Sequence, residues 1–292
     1  MPASDPHDSL RESVAALLGD RVSDLHMGGL PRKWERFDDV ALLPSGSFED
    51  DCWDGLRSDR LWQAVASGLG ASRLARAGEV SGEYRQSGAE MLLGDDDWVV
   101  RRESGVDYGY RLTKCMFSAG NVNERRRMGE VVTGGEVVVD LYAGIGYYTL
   151  PILVHSGAAH VHACEWGPEA VLALDSNLEA NGVAERCTVH VGDNRETSKS
   201  LTGVADRVLL GLLPSSEEGY APALGALRAE GGALHVHGLA PSSGHVSWAD
   251  GVDARLGTIE PGVALERLGL TRVKSHSPHW DHVVLDVRVQ RS

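Results

Sequence analysis

The period of the apolar positions changes along this chain, and the change divides it. Residues 8–18 (DSLRESVAALL) place Leu10, Val14, Leu17 and Leu18 on one helical face, with Gly19 as the expected C-cap. LPRKWERFDDVALLP then reads as a basic turn leading into a short strand at 39–43. EDDCWDG reads as a loop, and LWQAVASGLGASRLAR as a helix followed by a turn. WVVRRESGVDYGYRL alternates about Ser104-Gly105, which predicts a hairpin with strands near 97–102 and 106–112. Up to residue 115 the pattern is mixed α+β without βα alternation.

From residue 136 the apolar runs become strand-length and regular. EVVVDLYA, HVHACEW, CTVHVGD, ADRVLLGLL and GGALHVHGL are separated by helix-length segments such as GPEAVLALDSNLEANG. Such alternation predicts a parallel sheet covered by helices on both faces. TRVKSHSPHWDHVVLDVRVQ adds two long strands with a tight connection. The expected fold class is α/β: a mostly parallel, Rossmann-like sheet ending in a β-hairpin, with a smaller N-terminal α+β region. This layout resembles that of class I methyltransferases, which use S-adenosylmethionine. The expected divisions are a helical extension at 1–24, an α+β region at 25–115 and the Rossmann-like domain at 116–292.

Charge narrows the function classes. The 292 residues carry a net charge of -14, with 17 basic and 23 acidic residues up to position 130 and 11 and 19 beyond it. A nucleic-acid partner would therefore need a local basic footprint on an acidic chain. No run approaches the ~18 apolar residues of a membrane span. The opening MPASDPHDSL has no apolar core of a secretory signal, so none is expected. Cys52, Cys115, Cys164 and Cys187 form no CxxC pair, which points to a reducing compartment without disulfides or a zinc site.

The candidate chemistry sits at strand ends. In VVVDLYAGIGYYTLP, Gly144 and Gly146 allow a ligand to approach the backbone at the mouth of a strand. Thr149 stands where the third glycine of a pyrophosphate-binding GxGxxG would be. Glu165 ends the next strand, 21 residues after Gly144, where a carboxylate accepts hydrogen bonds from ribose hydroxyls or caps the helix at Gly167-Pro168. Asp193 and Asn194 end the third strand, suited to an adenine edge or to a simple turn. Ligand-type residues at three successive strand ends favour a binding site. His160, His162 and Cys164 alternate like metal ligands but read as core, as do His235 and His237; His276, His279 and His282 read as exposed turn residues. Tyr147 and Tyr148 read as packing residues, and no Ser-His-Asp arrangement or general base is evident.

DLYAGIGYYTLPILVHSGAAHVHACEWGPEAVLALDSNLEANGVAERCTVHVGDNRE, with KCMFSAGNVNERRRM and ADRVLLGLLPSSEEGY, closely resembles the tRNA wybutosine-synthesising aminocarboxypropyltransferase family. That family is related to the tRNA guanine methyltransferases. The resemblance spans roughly 25–290 and is densest at 110–220. It implies transfer of a 3-amino-3-carboxypropyl group from S-adenosylmethionine to a carbon of the tricyclic wyosine-type base of tRNA-Phe, releasing methylthioadenosine. It also implies cofactor contacts at Ser118, Arg125, Asp140, Tyr142, Ala143, Gly144, Glu165, Asp193 and Asn194, with Arg125 as partner of the methionine carboxylate. Methyltransferases of the superfamily carry Asn/Asp-Pro-Pro-aromatic after the fourth strand; here GLLPSS puts Leu212 and Leu213 there, leaving Pro214 and Ser215 as positioning candidates. Arg32, Lys33, Arg36, Arg111, Lys114, Arg126 and Arg127 are the candidate RNA contacts. The expectation is a cytoplasmic monomer without metal or membrane. A tRNA guanosine N1-methyltransferase and a non-catalytic cofactor- or RNA-binding relative stay open as alternatives.

Overall fold

The computed structural model describes residues 5–291. They fall into two compact units, one comprising the chain up to Arg101 with Gly109–Phe117, the other Arg102–Tyr108 with the chain from Ser118 onward.

In the first unit, α1 (Pro6–Leu18) and α2 (Asp24–Gly28) precede strands β1 (Glu35–Phe37) and β2 (Val40–Leu43). Helix α3 (Asp59–Gly68), β3 (Arg73–Arg76) and β4 (Glu90–Leu93) complete it. The sheet runs β1-β2-β3-β4, with β2 and β3 parallel across Val40↔Arg73 to Leu43↔Arg76. A parallel pair needs a crossover, and α3 supplies it. The expectation of no βα alternation before residue 115 is therefore corrected: this unit holds one βαβ turn. Leu10, Val14 and Leu18 of α1 enter the same core as Leu61, Trp62 and Val65 of α3. Helix α1, set apart at 1–24 by the sequence pattern, is thus part of this unit.

Strands β5 (Trp98–Glu103) and β6 (Val106–Arg111) form the expected hairpin. Ser104 and Gly105 both have positive φ, 51° and 79°, as a two-residue turn of the tightly twisted kind requires. The division between units cuts through this hairpin, assigning its tip to the second unit.

The second unit continues with α4 (Val122–Val131), β7 (Val137–Asp140), α5 (Thr149–His155), β8 (His160–Glu165), α6 (Pro168–Ala180) and β9 (Cys187–Val191). Then come α7 (Asn194–Thr197), β10 (Arg207–Leu210), α8 (Tyr220–Ala226), β11 (Gly231–Pro241), α9 (His245–Ile259), β12 (Ala264–Ser277) and β13 (Trp280–Gln290). The sheet order is β12-β13-β11-β10-β7-β8-β9. Five strands are parallel, while β13 runs antiparallel to both β11 and β12. This is the Rossmann-like sheet closed by a hairpin that the apolar runs predict. Val138, Val139, Val161, Ala163, Val208 and Leu234 are fully buried, which explains why these strands read as unbroken apolar runs. The strand order reverses beside β7, so a crevice opens beyond the carboxyl ends of β7 and β10.

Candidate cofactor and acceptor site

Asp140 closes β7 and is fully buried. Its carboxylate accepts from the Tyr142 amide at 3.2 Å and from the Thr149 hydroxyl at 2.9 Å, fixing both ends of the turn that follows. Burial pushes its pKa up to about 6. Asp140, expected as a cofactor contact, thus builds the turn from beneath, with no edge reaching solvent.

Above it the backbone is left-handed at Gly144 (φ 57°) and Gly146 (φ 98°). A Cβ on Gly144 would lie 2.5 Å from the Tyr147 ring, so a side chain fits neither the backbone angle nor the space. The Gly144 amide donates to Glu165 at 2.7 Å, and the Ala143 amide to the Cys164 carbonyl at 3.1 Å. Glu165 also accepts from the Trp166 and Gly167 amides, at 2.9 and 2.7 Å. It thus fixes the two residues that lead into α6, without capping the helix itself, and ties the glycine turn to β8. Burial raises its pKa against the pull of these amides. A carboxylate offers about four acceptor positions, so three backbone bonds leave room for one ligand hydroxyl.

After β9, the Asn194 side chain donates from Nδ2 to the Leu141 carbonyl at 2.8 Å and also meets the Tyr142 hydroxyl. The Asp193 carboxylate caps α7 and is clasped by the Arg195 guanidinium, which holds its pKa down. Tyr142, Ala143, Gly144, Glu165 and Asn194 are thus joined directly across the ends of three strands, whereas Asp193 faces its own helix and Arg195.

The loop before α4 carries Ser118, half-buried. Arg125 is only 2% exposed; its Nε and Nη2 donate to Glu103, both at 2.6 Å, and its Nη1 donates to the Ser118 carbonyl at 2.9 Å. This pairing neutralises the Arg125 charge inside the protein, where the sequence reading expected a grip on a carboxylate ligand. Its task is to hold the Ser118 loop. The Ser118 hydroxyl in turn accepts from Lys274 Nζ at 2.6 Å. Sequence reading missed both Glu103 and Lys274, which belong to no motif and lie 22 and 156 residues from their partners.

After β10, Leu212 and Leu213 are half-buried. The Pro214 carbonyl accepts from the Leu239 amide at 2.9 Å, and the Ser216 hydroxyl donates to the His237 carbonyl at 3.1 Å, so the GLLPSS segment is stitched to β11. Leu212 and Ser215 face a hollow of about 710 Å³ whose other wall includes Glu217, Arg255 and Ile259.

The histidines sort differently from expectation in three cases, of which His160 and His162 are half-buried rather than in the core. His235 and His237 are buried, and His276 and His279 are exposed, but His282 is 1% exposed and lies 3.0 Å from His237, placed inward by the β13 register. His162 lies 3.1 Å from His190, and Cys164 is buried. Among the described residues, no group of three or more His, Cys, Asp or Glu has metal-holding geometry, and no helix is long and apolar enough to cross a membrane.

All the basic candidates except Arg127 are exposed. Arg36 spends its guanidinium on the Asp38, Leu69 and Gly70 carbonyls, and Arg111 pairs with Asp97. Arg127, expected as a phosphate contact, is bound by Glu124 and Asp286, at 2.7 and 2.5 Å.

Known proteins match this chain from end to end. The TYW2 N-terminal domain family matches residues 14–97, and the TRM5/TYW2 methyltransferase domain family matches residues 99–247. The "tRNA wybutosine-synthesizing protein 2/3/4" of Arabidopsis thaliana is 45% identical over 98% of this chain, which spans only 29% of that longer protein. The "tRNA wybutosine-synthesizing protein 2 homolog" of Macaca fascicularis is 41% identical over 88% of this chain and 69% of its own. The crystal structure of P. horikoshii TYW2 in complex with MeSAdo superposes with a TM-score of 0.80 at 31% identity, covering 97% of this chain and 100% of that one. Identity at this level across both units, together with a class I fold whose glycine turn is tied to Glu165, places the chain in the tRNA wybutosine-synthesizing protein 2 (TYW2) family.

Proposed function

We propose that this chain transfers the 3-amino-3-carboxypropyl group of S-adenosylmethionine to a carbon of the tricyclic wyosine-type base in tRNA-Phe. Membership of the family supports the cofactor and the tRNA substrate. The observation that carries the choice of transferred group is the GLLPSS segment, where Leu212 and Leu213 stand at the end of β10 in place of a base-orienting amide or carboxylate. The glycine turn fits an adenosyl ligand: Gly144 and Gly146 leave the backbone bare, and Glu165 retains an acceptor for ribose.

In this reading Glu165 orients the ribose, and Asp193, Asn194 and Tyr142 frame the adenine end. Arg125 keeps Ser118 in place at the methionine end. Pro214 and Ser215, anchored on β11, position the acceptor base. Bound there, S-adenosylmethionine supplies an activated methylene: the acceptor carbon bonds to it, the carbon–sulfur pair leaves with sulfur as methylthioadenosine, and the displaced ring proton goes to water. The protein's contribution is chiefly position and the choice of carbon. We assign the chain to the cytoplasm, a setting that suits its four free cysteines, and take it to act as a monomer.

The test uses premodified tRNA-Phe and cofactor labelled separately in the methyl and in the carboxyl group. Carboxyl label is expected in the tRNA, with methyl label in methylthioadenosine. Methyl label in the tRNA would make the protein a methyltransferase, and label in neither would make it a binding relative.

A further inference from the structure

We propose that Lys274, on the terminal β-hairpin, is the side chain that binds the α-carboxylate of S-adenosylmethionine. This rests on the reading of the glycine turn as an S-adenosylmethionine pocket.

Four observations converge on Lys274. Its Nζ donates to the Ser118 hydroxyl at 2.6 Å, placing a cation on the loop that Arg125 holds. Its stem lies in a prepared groove: a Cβ on Gly120 would come within 3.0 Å of Lys274 Cδ and 3.2 Å of Nζ. The β12–β13 register pairs Lys274 with His282, which lies 3.0 Å from His237, whose ring is 3.5 Å from the hydroxyl of Tyr148 just after the glycine turn. Lys274 therefore sits opposite, in the strand register, a histidine pair that reaches Tyr148 beside that turn. Finally, Lys274 is half-buried, yet among the described residues no carboxylate pairs with it, although the chain has 42 acidic residues to 28 basic ones.

That last contrast separates the two cations beside Ser118. Arg125 is neutralised by both oxygens of Glu103, so a second carboxylate gains little from it. Lys274 carries an uncompensated charge that burial and the neighbouring Arg125 both disfavour, lowering its pKa. An arriving carboxylate relieves that cost and forms a charge-assisted hydrogen bond. Because the carboxylate terminates the group to be transferred, a cation fixed on β12 sets the direction of the aminocarboxypropyl arm. Arg125 is then a positioning residue that acts through Ser118.

Calorimetry on full-length wild type, Lys274→Met and Lys274→Arg, with S-adenosylmethionine and with methylthioadenosine, tests this. Methylthioadenosine has the same adenosine and sulfur but no carboxylate. Lys274→Met keeps the apolar stem and is expected to weaken S-adenosylmethionine binding about 10- to 100-fold, the scale of one hydrogen bond to a charged group. It should leave methylthioadenosine binding within about twofold, and Lys274→Arg should restore most of the loss. Equal loss for both ligands would mean a structural role, and unchanged S-adenosylmethionine affinity would place the carboxylate elsewhere; either overturns the proposal while leaving the pocket standing. A wild-type protein that binds neither ligand would instead overturn the pocket reading and this proposal with it.

Discussion

Glu165 serves the fold and the proposed ligand with the same two oxygens. Three backbone amides, from Gly144 in the glycine turn and from Trp166 and Gly167 just before α6, converge on it, and one of about four acceptor positions remains. Glu165→Ala is expected to weaken S-adenosylmethionine binding by ~1.5–3 kcal/mol, since a charged acceptor is lost and the Gly144 turn is released. Calorimetry on a variant shown to be folded checks this; unchanged affinity would leave Glu165 only its task of closing the turn. Its place was legible in the sequence because a strand period fixes where a strand ends, and Glu165, Gly144 and Asn194 all lie at such ends. The roles of Arg125 and Lys274 were not legible. Arg125 looked like a free cation in a basic run because its partner Glu103 sits at a hairpin tip in a different segment. Lys274 sits in an alternating strand with no signal beyond being one of four lysines.

Helix α4 shows why a run of like charges is a poor guide to an RNA surface. Successive residues on a helix point about 100° apart, so Arg125, Arg126 and Arg127 go to three environments. Arg125 turns inward to Glu103, Arg126 stays exposed beside Glu130 at 3.6 Å, and Arg127 closes a network with Glu124 and Asp286. Asp286 also bonds His235 at 2.6 Å, and its pKa is held far below the carboxylate range by that imidazole and by Arg127 despite burial. Glu124 is 2% exposed, and burial raises its pKa. Removing one partner from such a network leaves buried charge uncompensated, so Arg127→Ala should destabilise the protein by about 3–5 kcal/mol. Urea unfolding measures it; a loss below ~1 kcal/mol would show that Glu124 and Asp286 do not depend on Arg127. Element order was readable in the large sheet, where strand-length apolar runs alternate with helix-length segments. It was not readable in the first unit, where β2 and β3 have four residues each and their parallel pairing through α3 leaves no periodic trace.

The charge of the entire chain sets how it would hold the proposed tRNA substrate. With a net charge of -14, the long-range field opposes a polyanion, and binding must come from short-range contacts that outweigh it. Arg127 and Arg111 are paired with carboxylates, and Arg36 is turned onto carbonyls. This leaves Arg32, Lys33, Lys114 and Arg126, all exposed, as the candidates not committed in that way. If all four touch phosphate, each releases ~0.7–0.9 of a counterion, so log affinity should fall with log salt at a slope of about -3 to -4. Arg126→Ala is expected to make that slope shallower by just under one, with little loss of stability, because its only ion pair is an exposed i,i+4 contact. Arg127→Ala, compared at a temperature where it remains folded, should leave the slope unchanged. Filter binding or fluorescence titration of premodified tRNA-Phe from low to high salt reads both effects. A slope beyond about -6, or a slope that Arg127→Ala lowers and Arg126→Ala does not, would place the RNA on a different set of cations and return the buried network of α4 to the binding surface.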